Sequence, residues 1–478
     1  MSVRRSKSKS RSSAAGASAR RKARPNNVPV PPSVPEPARS RQKVSRAFLR
    51  GFAASLAIAL GIEAALHLLH HHYSQIQEIE DRALDWTVAL SRGMAPSRKD
   101  PVPFTFLDID ERTYRDWNEP ALVPRDKLRR MIETVASACP RVLVVDVDLT
   151  RSVDPAADAA LLRSLRKAAF PPHGCKSLPL LIFPAALRNP AGESGSLFVR
   201  PSFLEASLAG IPNIVWASPL FDRASDWQIR RWRLWERIPP KRDGSPEVMP
   251  SIQILVAAAV LEPETPLPQI MERIRSAVLE EKPEVRIGRL ELSVKPSRLN
   301  QRIAYRYPAE LREGEAYPRD PATGRELLSV IPAYPLLRRE QVSPDLFRGR
   351  IVVIGGSFEE GRDVYRTPLG PMPGALILIN SMDSLLEHGE IGLPPPTLRY
   401  GLLAASVLVM SLIFSSFPPR KAALIAAAVL ILGLLPLSVF LFRGGYWLDF
   451  AVPAIAVFLH RLAADVEGIF HRKHAETH

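Results

Sequence analysis

The chain has 478 residues, two cysteines and a formal net charge of +15, a length that suggests two or three domains. The positive charge is concentrated at the start, because residues 1–50 hold 14 Lys and Arg and a single acid, which leaves a net charge of +2 for the rest. A body this close to neutral gives no reason to expect nucleic acid as its partner.

Residues 1–46 are rich in Arg, Lys, Ser, Ala and Pro and have almost no apolar periodicity. Such a composition cannot bury enough apolar surface to offset the entropy of ordering, so it predicts a disordered basic cytoplasmic tail. The apolar stretch 51–69 follows directly and predicts an uncleaved transmembrane helix over 47–72. The basic residues before it favour a cytoplasmic N-terminus.

Strands and helices alternate from residue 73 to residue 183. This alternation implies right-handed crossovers, and it predicts an α/β domain with a mostly parallel mixed sheet. With a cytoplasmic N-terminus and one span before it, this is expected to be a periplasmic domain. The predicted segments are a helix over 73–92, the strand Phe104–Asp110, the helix Pro124–Cys139, the strand Val142–Leu149, the helix Ala157–Ala168 and the strand Leu178–Phe183.

The chain between 189 and 350 is less regular. Asp226–Trp235 alternates Trp and Arg, a pattern that suits an edge strand with cation–π contacts better than it suits nucleic-acid binding outside the cytoplasm. A helix is predicted over Ile252–Leu261 and another strand over Arg302–Tyr307. The apolar run Ile351–Ile354 then predicts a buried strand, and a helical pattern covers Ala375–Leu386.

Four carboxylates follow the first two predicted strands, Asp108 and Asp110 after one and Asp146 and Asp148 after the other. If these strands are parallel neighbours, all four side chains lie at one edge of the sheet. There they would hold Mg²⁺ or Ca²⁺, or recognise a cationic ligand. The alternative is that they cap the following helices and pair with nearby arginines, and both interpretations stay open.

Cys139 and Cys175 each stand just before a predicted strand. They would share one sheet edge if those strands are neighbours, and an oxidising compartment favours a disulfide between them. Two buried thiols are the equally weighted alternative.

The stretch from 351 to 386 resembles the closing motif of the CHASE2 family, an extracytoplasmic sensory domain of bacterial membrane receptors. The resemblance implies a sensory α/β domain over 73–396. It also leaves two roles open for the loop residues, which either bind a ligand or only brace the turn. The matching residues are Ile351–Ser357, Asp363, Thr367–Gly370, Pro373, Gly374, Asn380 and Asp383–Leu386, and the ligand candidates among them are Gly355, Gly356, Ser357, Asp363 and Thr367.

Three further apolar stretches predict transmembrane helices over 398–417, 422–442 and 446–462, followed by a short cytoplasmic tail over 463–478. With the first span this makes four transmembrane helices in a bacterial inner membrane, with both termini cytoplasmic. The family usually adds a cytoplasmic output module after its last helix. No motif of such a module occurs in this chain, so we expect a separate signalling partner.

The interpretation with most support is therefore a multi-pass membrane sensor that binds an unknown signal ligand and relays it to another protein. We expect the lipid bilayer as a partner, a homodimer as an option, no cofactor, no nucleic acid and no enzyme activity. The leading alternative is a structural or assembly subunit of an envelope complex. A periplasmic metal-dependent hydrolase ranks third, because no His accompanies the acidic motifs.

Overall fold

The computed structural model describes residues 74–450 except 95–97, 99, 171–173, 176, 189–196, 240–246 and 339–341, together with isolated positions between 49 and 61. The predicted tail 1–46 and the tail 463–478 lie outside the described residues. So do most of the first predicted span, 47–72, and most of the last, 446–462.

Between residues 74 and 184 the described strands and helices alternate as the sequence predicts, and beyond 184 several strands follow one another. The strands are β1 (Phe104–Ile109), β2 (Val142–Val145), β3 (Leu180–Pro184), β4 (Ala186–Arg188), β5 (Phe198–Arg200), β6 (Ile214–Ala217), β7 (Phe221–Arg223), β8 (Ile229–Trp232), β9 (Trp235–Ile238), β10 (Glu247–Pro250), β11 (Glu284–Ile287), β12 (Leu290–Ser293), β13 (Leu328–Pro332), β14 (Ile351–Gly356), β15 (Val364–Thr367) and β16 (Gly370–Pro373). The α-helices are α1 (Ser74–Ser91), α2 (Glu111–Asp116), α3 (Arg125–Ser137), α4 (Pro155–Lys167), α5 (Glu205–Leu208), α6 (Ile252–Leu261), α7 (Leu267–Leu279), α8 (Ala333–Leu337), α9 (Gly374–His388), α10 (Pro396–Ser416), α11 (Pro419–Val429) and α12 (Leu435–Phe442).

One six-stranded sheet forms the centre of the domain, in the order β13-β1-β14-β2-β3-β6. Every neighbouring pair in it is parallel. The prediction that the sheet would be mixed was therefore wrong. The antiparallel pairs of the described residues lie outside it, in separate two-stranded ribbons. The assumption that β1 and β2 are neighbours was also wrong, since β14 lies between them.

The sheet is covered on both faces, which explains why its central strands are continuous apolar runs. Alternate residues of β14 point to opposite cores. Ile351 and Val353 join the core that contains α6, α7 and α9. Val352 and Ile354 join the core that contains α3, α4 and α8. The domain is thus a three-layer α/β sandwich whose central strand is β14.

The predicted strand Arg302–Tyr307 is not a strand. Its first residues form only a single antiparallel bridge, between Arg302 and Arg231 of β8, and further on a side chain takes the place of a neighbouring strand. The Asn380 Oδ1 accepts from the backbone N–H groups of Arg306 and Tyr307, both at 2.8 Å, and its Nδ2 donates to the Tyr307 carbonyl at 2.9 Å. The motif residue Asn380 therefore satisfies buried backbone groups that would otherwise be costly. The predicted strand Asp226–Trp235 is also divided, into β8 and the start of β9.

Two helical stretches after the domain, Pro396–Ser416 and Arg420–Phe442, are long and apolar enough to cross a membrane. The second consists of α11, a π-helical turn over Leu430–Leu434 and α12. They agree with the predicted spans 398–417 and 422–442. The described residues thus contain two candidate spans, and four transmembrane helices are not confirmed.

Candidate functional site

The carboxyl ends of β1, β14 and β2 bring three of the predicted residues into one row. Asp108 of β1 pairs in register with Gly355 of β14, and the Asp146 backbone N–H donates to the Ile354 carbonyl at 2.7 Å. Because side chains alternate along a strand, Asp108, Gly355 and Asp146 lie on the same face of the sheet, the face that α9 covers. Two carboxylates therefore flank a position that has no side chain.

Gly355 allows α9 to approach this row closely. A Cβ built on Gly355 would lie 2.5 Å from the Ala375 Cβ, in the first turn of α9, and 3.6 Å from the Asp146 Cβ. Any larger residue would push the helix away from the central strand. The double-glycine motif is thus explained at Gly355 by packing. At Gly356 a Cβ would meet the ring of Phe358 at 2.7 Å, so the second glycine is also constrained by its neighbour.

Asp363 lies at the N-terminus of α9. Its carbonyl accepts from the Gly374 backbone N–H at 2.8 Å, and a Cβ on Gly374 would overlap the Asp363 carboxylate. The residue before the helix, Pro373, provides no side-chain cap. A helix N-terminus attracts negative charge, so the position suits a carboxylate. Asp363 also raises the pKa of Asp146 through its charge.

The carboxylates of Asp108, Asp146 and Asp363 have too few polar partners to offset their loss of water. Burial raises the pKa of Asp108 to about 7, although Ser357 donates a hydrogen bond to its Oδ2 at 2.7 Å. Burial, followed by the charge of Asp363, raises the pKa of Asp146 to about 7, and burial also raises the pKa of Asp363. The Asp108 Oδ1 is buried without a hydrogen-bond partner. Within the described ranges, no ion pair is formed by any of the three.

The other side chains predicted for the site, those of Asp110, Asp148 and Thr367, form hydrogen bonds with residues close to them in the sequence. Asp110 caps α2 by accepting from the Thr113 backbone N–H at 2.9 Å. Asp148 is exposed and accepts from the Thr150 N–H at 2.8 Å. The buried Thr367 hydroxyl donates to the Gly370 carbonyl at 2.7 Å, inside the turn that joins β15 to β16. No group of three or more His, Cys, Asp or Glu in the described part of the chain is arranged to hold a metal ion.

Cys139 and Cys175 form a disulfide, with their Cα atoms 5.4 Å apart. The bond joins the chain just before β2 to the chain just before β3, and these two strands are parallel neighbours.

The sequence did not reveal a cluster of ion pairs between α1 and the domain. Arg302 is fully buried and donates to Asp81 at 2.9 Å and to Asp85. Arg230 donates two bonds to Asp85 from Nε and one from Nη2, between 2.8 and 3.1 Å, and Arg231 donates to Asp81. Burial alone would raise the pKa of Asp81, but the charges and hydrogen bonds of its arginines outweigh burial and lower it.

The only sequence signal for this cluster is the spacing of its two aspartates, four residues apart on one face of a helix. Their partners lie about 145 to 220 positions further on, a separation that a sequence pattern cannot bridge. The cluster fixes α1 to the domain, so movement of the domain and movement of α1 are linked.

A second unpredicted contact joins the domain to the segment that follows α12. The Gly392 N–H donates to the Gly445 carbonyl at 3.0 Å, and the Trp447 N–H donates to the Gly392 carbonyl at 2.9 Å. The His388 ring, at the end of α9, lies 6.1 Å from the Phe442 ring. Phe442 and Trp447 are both buried in the core that contains α9. The C-terminal end of α9 is therefore in contact with the outer end of a candidate membrane span.

The raised pKa values predict how stability depends on pH. A carboxyl whose folded pKa is raised stays protonated in the fold while it ionises in the unfolded chain. Its favourable contribution is therefore complete below the usual pKa of 3.8 and is lost as the pH rises to about 7. One pKa unit corresponds to about 1.4 kcal/mol. Because Asp146 is only half-buried, we expect Asp146→Asn to increase the free energy of unfolding by a reduced amount, about 1–2 kcal/mol, above this range.

This prediction is checked by unfolding the full chain in detergent across that pH range. The exposed Asp148→Asn serves as the matched control and should keep the wild-type profile. Superimposable profiles for the wild type and Asp146→Asn would show that Asp146 ionises normally in the fold.

The ion-pair cluster predicts a large effect for a single neutral substitution. Asp85→Asn leaves the buried Arg302 and Arg230 with too little negative charge, so we expect the free energy of unfolding to fall by about 3 kcal/mol. Glu284→Gln is the control, because its 3.3 Å pair with Arg286 is exposed and should be worth less than about 1 kcal/mol. Equal losses from the two substitutions, measured by denaturant unfolding, would contradict a buried clamp.

The comparisons with known proteins agree with this architecture. A family model described as CHASE2 domain matches residues 57–416, which is most of the chain. No curated protein and no solved structure matches it. The match includes α1, the whole parallel sheet, the acidic strand ends and the first candidate span. The chain therefore belongs to the CHASE2 domain family, a family of extracytoplasmic sensory domains.

Proposed function

We propose that this protein is a membrane-anchored extracytoplasmic sensor that binds its signal at the strand ends carrying Asp108 and Asp146, together with Asp363 at the N-terminus of α9. The observation that carries the proposal is a group of desolvated carboxylates that have no cationic partner among the described residues. Asp363 lies at the N-terminus of α9, and Asp108 and Asp146 lie at the carboxyl end of the central strands. Open α/β sheets usually bind ligands at this end. Elsewhere in the domain the half-buried aspartates Asp81 and Asp85 have arginine partners.

The chemistry of the row favours a ligand with positive charge or several hydrogen-bond donors. Such a ligand would supply the counter-charge that Asp146 and Asp363 lack, and the buried Asp108 Oδ1 would accept a hydrogen bond from it. Compared with the set predicted from sequence, the proposed site omits Asp110, Asp148 and Thr367, whose polar atoms already have local partners. We propose binding without turnover, so the protein is not an enzyme.

We further propose that α9 passes the signal towards the membrane. Its 15 residues make a rod of about 22 Å. The first turn packs against Gly355 and Asp363, at the proposed binding site. The last turn contacts Phe442, at the end of α12. A ligand that shifts the first turn would therefore also shift the outer end of a candidate membrane span.

The proposed location is a bacterial inner membrane, with the domain on the periplasmic side, several spans and both termini in the cytoplasm. The extracytoplasmic character of the family, the two apolar helices and the disulfide support this placement. The output would pass to a separate signalling protein.

The binding proposal is tested by the thermal stability of the full chain in lipid nanodiscs, measured against Mg²⁺, Ca²⁺, polyamines and cationic amino acids. A compound present at one hundred times its dissociation constant should stabilise the fold by about 2.7 kcal/mol. We expect this stabilisation to be lost in Asp146→Asn and kept in Asp148→Asn. A panel without any stabilising compound would favour the structural or assembly subunit, and metal-dependent turnover would favour an enzyme.

A further inference from the structure

The face of α1 that points away from the domain carries large apolar side chains. Ile79 is 43% exposed, Trp86 is 66% exposed and Leu90 is 52% exposed. Steps of seven and four residues place these side chains in one stripe along the helix. The opposite face is buried, with Leu84 and Val88 in the domain core.

The stripe cannot turn towards the domain. Asp81 and Asp85 lie on the same helix and are held by buried arginines, so rotation of α1 would break several ion pairs. The apolar side chains of the stripe are therefore fixed in an exposed position.

A second exposed tryptophan continues this surface. Trp227 is 69% exposed at the tip of the β7–β8 hairpin, in the left-handed backbone region with a φ of 64°. The hairpin tip lies beside α1, because the Arg230 side chain binds both Asp85 and Asp226 and the Ser225 hydroxyl donates to Glu78 at 3.3 Å. We call Ile79, Trp86, Leu90 and Trp227 the Trp86 surface. Tryptophan is over-represented among the residues that dominate binding at protein interfaces.

We propose that the Trp86 surface is the interface of a parallel homodimer of this chain. In the sequence α1 follows closely after the apolar segment 51–69, the predicted first span, and the membrane placement rests on the proposed function. Two copies in one membrane therefore present the same helix in the same direction, and confinement to the membrane raises their effective concentration. A two-fold dimer uses the same patch on both copies, which a single stripe on α1 satisfies.

The charges within the stripe fit a second copy of the same helix. Glu78 and Arg82 are exposed and lie four residues apart, on either side of Ile79 in the sequence. Among the described residues, Arg82 forms no ion pair with its own chain. In a parallel dimer, Arg82 of one copy comes within reach of Glu78 and Trp86 on the other, which gives it an ion pair and a cation–π contact. The two-fold axis makes both contacts reciprocal.

Cysteine cross-linking in native membranes tests this proposal on the full chain. Both native cysteines are in the disulfide, so an introduced cysteine is the single free thiol. We expect mild oxidation to convert Trp86→Cys and Leu90→Cys into a covalent dimer at twice the 53.0 kDa chain mass. The matched control is Phe170→Cys, which also replaces an exposed aromatic residue, 73% exposed and not on α1. The control should form roughly ten-fold less dimer.

Each other outcome overturns the proposal. Equal cross-linking of Trp86→Cys and Phe170→Cys would indicate random collision. An adduct of another mass would identify a different protein as the occupant of the surface. Failure of both α1 cysteines to react with a membrane-impermeant maleimide, without any dimer, would place the stripe in lipid. Thermal unfolding at the wild-type temperature is required of every variant, and Leu90→Cys provides the test if Trp86→Cys fails to fold.

Discussion

The close approach of α9 to the central strand at Gly355 is the constraint on which the rest of the molecule depends. It is possible only without a side chain at Gly355, and it holds the first turn of the helix beside Asp146 and Asp363. The approach removes water from carboxylates that have no cationic partner among the described residues, and burial, followed by the charge of Asp363, raises the pKa of Asp146 to about 7. An ionised carboxylate with a raised pKa lowers the stability of the fold. Such groups are typical of binding sites, because a neutral residue would serve at a position with a purely structural role.

The domain is joined to the membrane segments by two different kinds of contact. Ion pairs fix α1 through Asp81 and Asp85, and apolar packing fixes the end of α12 through Phe442 and Trp447. The buried ion pairs give α1 one rotational setting, whereas the contact at Phe442 and Trp447 combines apolar packing with two backbone hydrogen bonds at Gly392. This difference suits a receptor in which α1 defines the arrangement of the copies and α9 carries the movement, the combination that we propose for this CHASE2 protein.

Local sequence patterns were sufficient for much of this account. The apolar runs predicted β1, β14 and the helix α6, and the residue order of the closing motif indicated the family that the comparison then showed. Long-range pairing was not predictable. Asn380 bonds to backbone groups 73 and 74 residues away. The segment before Tyr307 therefore resembled a strand, although it forms only one bridge to β8 and its last residues are bonded by a side chain. At the site, Asp108 and Asp110 stand two residues apart at the end of the same predicted strand, so the sequence does not distinguish their roles. Only the fold shows that Asp110 caps a helix.

The central claim is that α9 links the acidic strand ends to the outer end of α12. Hydrogen–deuterium exchange on the full chain in nanodiscs tests it directly, because Asp146→Asn imitates the neutral carboxyl at a single pH above its pKa, about pH 8. The account predicts altered exchange both in the first turn of α9 and in the segment 442–448, with Asp148→Asn unchanged from the wild type. A change confined to the residues around Gly355 and Gly374, with normal exchange at Trp447, would contradict it.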